Sequence, residues 1–111
     1  MIIAMQREAR KAQTLAHPNI STVYDFDRDG QIIFMTMELL KGDPLDAFIK
    51  KNPNGIPREQ AFGIVRGLCL GLAYAHNKNI IHSDFKPGNV FLTDDNRVKI
   101  LDFGIARAAL V

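Results

Sequence analysis

The spacing of apolar and polar positions changes twice in the first forty residues. Over residues 2–16, at about 100° per residue, Met5, Ala9, Ala12, Leu15 and Ala16 fall on one stripe. Arg7, Arg10 and Lys11 fall away from it, so the pattern predicts an amphipathic helix. Glu8 is the exception, a carboxylate about 40° from the centre of the stripe and on its core side. His17-Pro18-Asn19 stops the helix, because proline lacks a backbone N–H and turns the preceding residue away from helical geometry. Residues 20–27 then alternate and predict a strand. Arg28-Asp29-Gly30 is a hairpin turn in which glycine supplies the positive φ, and residues 31–38 form the return strand.

Lys41-Gly42-Asp43-Pro44 breaks this pattern, and a short helix follows over 44–51. Asn52-Pro53-Asn54-Gly55 is a second breaker. Pro57 opens a long helix to about Asn77, a first-turn position that suits its missing N–H. Gly63, Gly67 and Gly71 recur every four residues along it, and such small residues let a central helix approach its neighbours closely. Val90-Phe91-Leu92 and Val98-Lys99-Ile100-Leu101 read as two short strands joined by the turn Asp94-Asp95-Asn96-Arg97. The sum is an α+β chain.

At 111 residues, the length allows one domain or less. The 47% apolar content and eight glycines with five prolines exclude disordered and collagen-like classes. The net charge is +2, with basic and acidic residues spread evenly through both halves. No basic stripe offers a nucleic-acid surface. The most apolar run, Ala61 to Ala75, contains Arg66 and is too short for a membrane span, which needs about 20 residues. The start Met1-Ile2-Ile3-Ala4-Met5 lacks the basic region of a secretory leader. The single cysteine, Cys69, sits in an apolar run and reads as a small core residue; with no disulfide possible inside the chain, a reducing, cytoplasmic setting is expected.

Three places carry chemistry: the run His82-Ser83-Asp84-Phe85-Lys86-Pro87-Gly88-Asn89, the triplet Asp102-Phe103-Gly104, and Glu8. The run precedes one strand of the last hairpin and the triplet follows the other. A hairpin returns the chain to its starting point, so Asp84, Lys86, Asn89 and Asp102 are expected at one end of it. Asn89 and Asp102 offer hard oxygen ligands of the kind Mg²⁺ takes beside phosphate oxygens. Lys86 is a point charge suited to a phosphoryl oxygen. Asp84 is a carboxylate able to orient a hydroxyl and take its proton. Metal, cation and base around one point suggest phosphoryl transfer from a nucleotide. Asp94 and Asp95 read as a solvated turn, and His17 and His76 as structural.

The run 82–89 together with Asp102-Phe103-Gly104 resembles the catalytic loop and metal-binding triplet of eukaryotic-type (Hanks-type) Ser/Thr protein kinases, at seven positions. The resemblance covers essentially the whole chain. It implies a partial protein-kinase-like fold, with residues 1–38 from the small lobe, 39–42 the hinge and 43–111 from the large lobe. It implies ATP and Mg²⁺ as cofactors and a protein substrate as partner. Asp84 is then the catalytic carboxylate and Lys86 the contact to the transferred group. Asn89 and Asp102 hold Mg²⁺. Glu8 matches the regulatory-helix glutamate that pairs with the ATP-binding lysine, and Met37 the gatekeeper. The Glu38 carbonyl and the Leu40 amide would meet adenine, and Phe91 would close its pocket from below. His82 and Phe103, with Ala12, would stack in a hydrophobic spine.

The chain departs from the family at three points. Ser83 stands where the catalytic loop usually has arginine, so gating by an activation-loop phosphate is not expected. Among the 111 residues no two glycines are two apart, so there is no Gly-rich phosphate loop, and the nucleotide-binding lysine strand is also absent. Val111 follows Gly104 by seven residues, short of the family's peptide platform. The resemblance thus implies a kinase domain truncated at both ends, with these residues alone expected to be inactive. Two other readings stand beside it: a pseudokinase-like interaction module, and a fragment of a small-molecule phosphotransferase of the aminoglycoside or choline type, which also uses a His-x-Asp…Asn loop.

Overall fold

A computed structural model describes residues 14–82 and 84–101. Most of the predicted first helix, with Glu8 and Ala12, lies outside the described residues, as do Ser83, Asp102, Phe103 and Gly104. The elements run β1 (Val23–Asp29), β2 (Ile32–Met37), β3 (Gly42–Pro44), α1 (Leu45–Lys51), α2 (Arg58–Asn77), a 3₁₀ turn (Pro87–Asn89), β4 (Val90–Thr93) and β5 (Val98–Ile100). The architecture is α+β, as expected.

β1 and β2 pair antiparallel with Asp29 opposite Ile32, which leaves Gly30 and Gln31 as a two-residue loop. Gly30 has φ of 62°, at the first loop position, where a tight hairpin calls for a positive value. The turn is thus one residue tighter than the predicted one. Tyr24, Ile32 and Phe34 of this hairpin are exposed.

The second sheet has the order β3-β4-β5, antiparallel throughout. Its first strand corrects the sequence reading of residues 41–44 as a simple break. Glycine and proline both disfavour strands, and the three residues pair with Phe91–Thr93, far along the chain. Gly42 is required there: its φ is 144°, and a β-carbon would run into the Leu92 carbonyl oxygen. Pro44, with no N–H to donate, ends the strand opposite Phe91.

α2 packs on β5 through its glycines. A β-carbon on Gly67 would collide with the Val98 side chain, and one on Gly71 would stand 3.0 Å from Ile100 Cδ1. Gly63 faces open space, so two of the three glycines serve close approach. The helix ends in a Schellman arrangement with Asn79 at φ 61°; Asn79 N–H donates to His76 O at 2.9 Å and Ile80 N–H to Ala75 O at 2.9 Å.

The core has two neighbouring parts. Leu15, Ile20, Ala75, Ile80 and Ile100 form one; Leu45, Ile64, Val90, Leu92 and Val98 form the other, and Leu68 touches both. Leu15 is buried as its stripe predicted, but Thr14–Ala16 are not helical and Ala16 is exposed. Cys69 is exposed as well, contrary to the core reading. The buried positions of α2 are 64, 67, 71 and 75, and Cys69 lies about 140° around the helix from them. The apolar run that suggested burial winds around the whole helix, and only one face meets the sheet.

A short segment joins the two sheets. Asn19 O accepts from Ile100 N–H at 2.9 Å and Ser21 N–H donates to Ile100 O at 3.0 Å. Asn19 Nδ2 also donates to Val98 O at 3.0 Å, while His17 Nδ1 accepts the Asn19 N–H. The chain before β1 is thereby stitched to the edge of β5.

Candidate active site

The last hairpin brings its two ends together. Val90 pairs with Ile100, and Leu101 N–H donates to Asn89 O at 2.9 Å. The loop before β4 therefore sits against the residue that precedes Asp102 in sequence.

His82 fixes this junction. It is buried, and its Nε2 lies 2.6 Å from Leu101 O. Its Nδ1 lies 3.1 Å from the Asp84 backbone nitrogen. A carbonyl can only accept and an amide N–H can only donate, so the ring carries its proton on Nε2. One imidazole thus ties the backbone of Asp84 to the strand end leading to Asp102. Phe85 packs edge-on against the ring at 5.8 Å.

Around that support three predicted residues meet. Asn89 Nδ2 donates to Asp84 O at 2.8 Å and approaches Asp84 Oδ2 at 3.4 Å. Lys86 Nζ stands 3.4 Å from the same Oδ2. The Asp84 and Lys86 side chains are 46% and 59% exposed, so their ion pair is screened and adds little stability. Its meaning is positional: a carboxylate and an ammonium face the same accessible space. Because Nδ2 of Asn89 is committed to a carbonyl oxygen, its Oδ1 is the atom left to ligate a cation. That donor set suits Mg²⁺, which prefers oxygen. Among the described residues no cluster of three or more His, Cys, Asp or Glu side chains could hold a metal. Asp102 falls outside them.

A second locus lies where β2 runs into β3. Glu38 N–H donates to Thr22 O at 3.0 Å, and its Oε1 accepts the Thr22 N–H at 2.8 Å. The same Oε1 is 2.9 Å from Lys99 Nζ, with the two side chains only 21% and 13% exposed. Burial, the largest single influence, favours the neutral acid, but the Thr22 amide and the Lys99 ammonium together outweigh it and hold the carboxyl below its ordinary range. Lys99 sits opposite Phe91 in the β4–β5 ladder. Strand alternation turns Val98 and Ile100 into the core and leaves Lys99 and Phe91 on the other face. Glu38 is thereby tethered to the sheet face that carries Phe91, and Leu40 follows two residues on.

Asp84, Lys86 and Asn89 are therefore brought together, Glu38 and Phe91 are linked through Lys99, and Glu8 and Asp102 lie outside the described residues. Sequence reasoning missed Lys99, Thr22 and Asn19. Lys99 left no signal of its own, since a charge between two buried strand positions is the ordinary outward-facing residue of an alternating strand.

Comparison with known proteins decides the family. The protein kinase domain profile matches residues 2–110. The chain belongs to the protein kinase family. It is 37% identical to the serine/threonine-protein kinase PrkC of Bacillus subtilis over 103 residues, 93% of this chain and 16% of that protein. It is 37% identical to PknB of Mycobacterium leprae over 110 residues, covering 96% of this chain and 18% of that kinase. With PknA of Mycobacterium tuberculosis it shares 35% over 106 residues, 91% of this chain and 24% of that kinase. The chain thus spans between 16% and 24% of the length of these Ser/Thr kinases. The kinase reading is favoured over the small-molecule phosphotransferase alternative. Among the described residues no helix is long and apolar enough to cross a membrane.

Proposed function

We propose that this chain is the catalytic-loop and hinge portion of a Ser/Thr protein kinase, which moves the γ-phosphoryl group of Mg-ATP to a protein hydroxyl. The observation that carries the reading is the meeting of Asp84, Lys86 and Asn89 on a loop braced by His82. In this reading residues 1–38 belong to the small lobe, 39–42 to the hinge and 43–111 to the large lobe.

Asp84 accepts the hydrogen bond of the acceptor Ser or Thr hydroxyl and aligns its oxygen for attack. As the new oxygen–phosphorus bond forms, the bond from γ-phosphorus to the ADP oxygen breaks and the hydroxyl proton passes to Asp84. Lys86 leaves its weak pairing with Asp84 to neutralise charge on the transferring group. Asn89 Oδ1, with Asp102, would hold Mg²⁺, which when bound offsets the negative charge of the phosphates. The Glu38 carbonyl, the Leu40 amide and Phe91 form the adenine side of the site. Glu8, by family resemblance, pairs with the nucleotide-binding lysine of the family.

Chemical-shift mapping tests the reading. Titration of the chain with an ATP analogue plus Mg²⁺ is expected to move the Leu40, Phe91 and Asn89 signals, with Asn89→Ala removing the Mg²⁺ dependence. Shifts confined to other faces would overturn it. Radiolabel transfer by these 111 residues alone is expected to be undetectable, because they contain neither phosphate loop nor partner lysine. Transfer that vanishes in Asp84→Asn would show instead that they suffice.

A further inference from the structure

Glu38 is fixed more firmly than hinge contact with adenine by itself requires. Its backbone N–H is bonded to Thr22 O, and its Oε1 holds both the Thr22 amide and the Lys99 ammonium. Lys99 reaches it from 61 residues further along the chain. Two other ion pairs, Lys51–Asp43 and Lys86–Asp84, have side chains between 39% and 64% exposed. The Glu38–Lys99 pair is much better shielded, so water and salt screen it far less. A residue held at its amide and its carboxylate has little freedom left to swing its own carbonyl. Lys99 is also the cross-strand partner of Phe91, so the ammonium that anchors Glu38 grows from the strand beside the proposed adenine floor.

We propose that Lys99 is a positioning residue for the nucleotide: acting through Glu38, it holds the 38–40 backbone edge in register with Phe91 and so sets affinity for the adenine moiety. The proposal rests on the adenine-site reading of Glu38, Leu40 and Phe91. It goes beyond that reading by assigning a role to a side chain that need not touch the ligand. An ion pair kept for stability alone would behave otherwise, since its loss would weaken every ligand of the fold alike.

The test separates the two moieties of the ligand. Adenosine and Mg-tripolyphosphate are titrated separately into the full chain and into K99M and K99R. K99M is expected to weaken adenosine binding about tenfold, roughly 1.4 kcal/mol, and to leave Mg-tripolyphosphate binding unchanged. K99R, which keeps the charge, is expected to restore most of the affinity. Hydrogen exchange gives a readout without ligand: K99M is expected to speed exchange most at Thr22 and at 38–40, above any uniform change across the chain. Should K99M fail to fold, Glu38→Gln, which keeps the shape and removes the charge, is expected to show the same split. Equal loss for both ligands, or exchange that speeds to the same degree throughout the chain, would overturn the proposal. Adenosine binding that K99M leaves intact would overturn it while the adenine site stands. No adenosine binding by the unaltered chain would overturn the adenine site and this proposal together.

Discussion

The side-chain nitrogen of Asn89 is 2.8 Å from the backbone oxygen of Asp84, and this bond joins the proposed metal ligand to the proposed catalytic carboxylate. It closes the loop on itself before β4 begins and uses the amide nitrogen, which leaves Oδ1 as the atom able to ligate a cation. Asn89→Ala removes brace and ligand together. Its cost to unfolding free energy is expected to be about 1 kcal/mol, the worth of one partly buried hydrogen bond. Asn89→Asp tests the brace separately, because a carboxylate placed against the Asp84 carbonyl and carboxylate has no proton to donate. It is expected to destabilise at least as much as alanine at pH 7, measured by urea denaturation, and less when the pH is lowered enough to protonate it.

His82 holds the same loop from the other side. It accepts the N–H of Asp84, the proposed catalytic carboxylate, and donates to Leu101 O, just before Asp102 in sequence. His82→Ala leaves the Leu101 carbonyl and the Asp84 amide without their partner and opens space in a buried position. The expected loss is about 2–3 kcal/mol, from the cavity and from two partly buried backbone groups left without a partner. His82→Phe fills the space without the bonds, and its unfolding midpoint is expected between those of wild type and alanine. Equal midpoints for wild type and phenylalanine would remove the hydrogen bonds from the account.

Local pattern carried much of this molecule into view, and it failed where a partner was distant. The β4–β5 hairpin was legible because alternation buries Val90, Leu92, Val98 and Ile100 on one face. The meeting of Asp84, Lys86 and Asn89 followed from the same hairpin. β3 was hidden, since Gly42 and Pro44 oppose strand formation and only residues 91–93 make it one. The Glu38–Lys99 pair was hidden for a related reason. Each charge looks like an ordinary solvated residue until the fold brings the two within 2.9 Å. Cys69 was misread because an apolar run says nothing about which face of a helix finds a neighbour.

The Glu38 carboxyl gives a pH dependence with a definite sign. Burial opposes its charge, but Thr22 and Lys99 more than compensate, so its folded-state pKa lies below the unfolded value. A group depressed in this way contributes stability that is complete above the ordinary glutamate value of about 4.3. That contribution is lost as the pH falls through this value toward the lowered one. Glu38→Gln is therefore expected to destabilise at pH 7, with the gap to wild type closing in urea titrations as the pH is taken below the ordinary glutamate value. The Asp95 carboxyl is also held low, chiefly by the Thr93 hydroxyl, but it is common to both proteins and cancels in the difference. A gap that does not change with pH would show that the contact does not act through charge.

The glycines of α2 offer a matched pair. Gly67→Ala drives a methyl group into Val98 and the Asn19 amide, both held by the sheet. Overpacking of this kind is expected to cost about 1–3 kcal/mol. Gly63→Ala meets nothing within 4 Å and adds a residue of higher helix propensity. It is expected to stabilise by about 0.5–1 kcal/mol. Thermal unfolding of the two variants should move in opposite directions. A stabilising Gly67→Ala would mean that the helix and β5 are not in close contact.

Ser21 supplies the last test, because its burial has no evident return. Its backbone N–H is satisfied by Ile100 O at 3.0 Å, yet its hydroxyl is buried and, among the described residues, has no hydrogen-bond partner. Desolvating a hydroxyl without a bond costs about 1–3 kcal/mol, and deleting it leaves only a small void. Ser21→Ala is therefore expected to raise the urea midpoint, and Ser21→Thr, which keeps the hydroxyl, is expected to give no gain. The backbone bond to Ile100 survives both changes, so the stitch between the β1 segment and β5 stays intact while the side chain alone is tested. A lower midpoint for Ser21→Ala would mean that the hydroxyl is bonded in solution, through a water or another group, and that the site is satisfied after all.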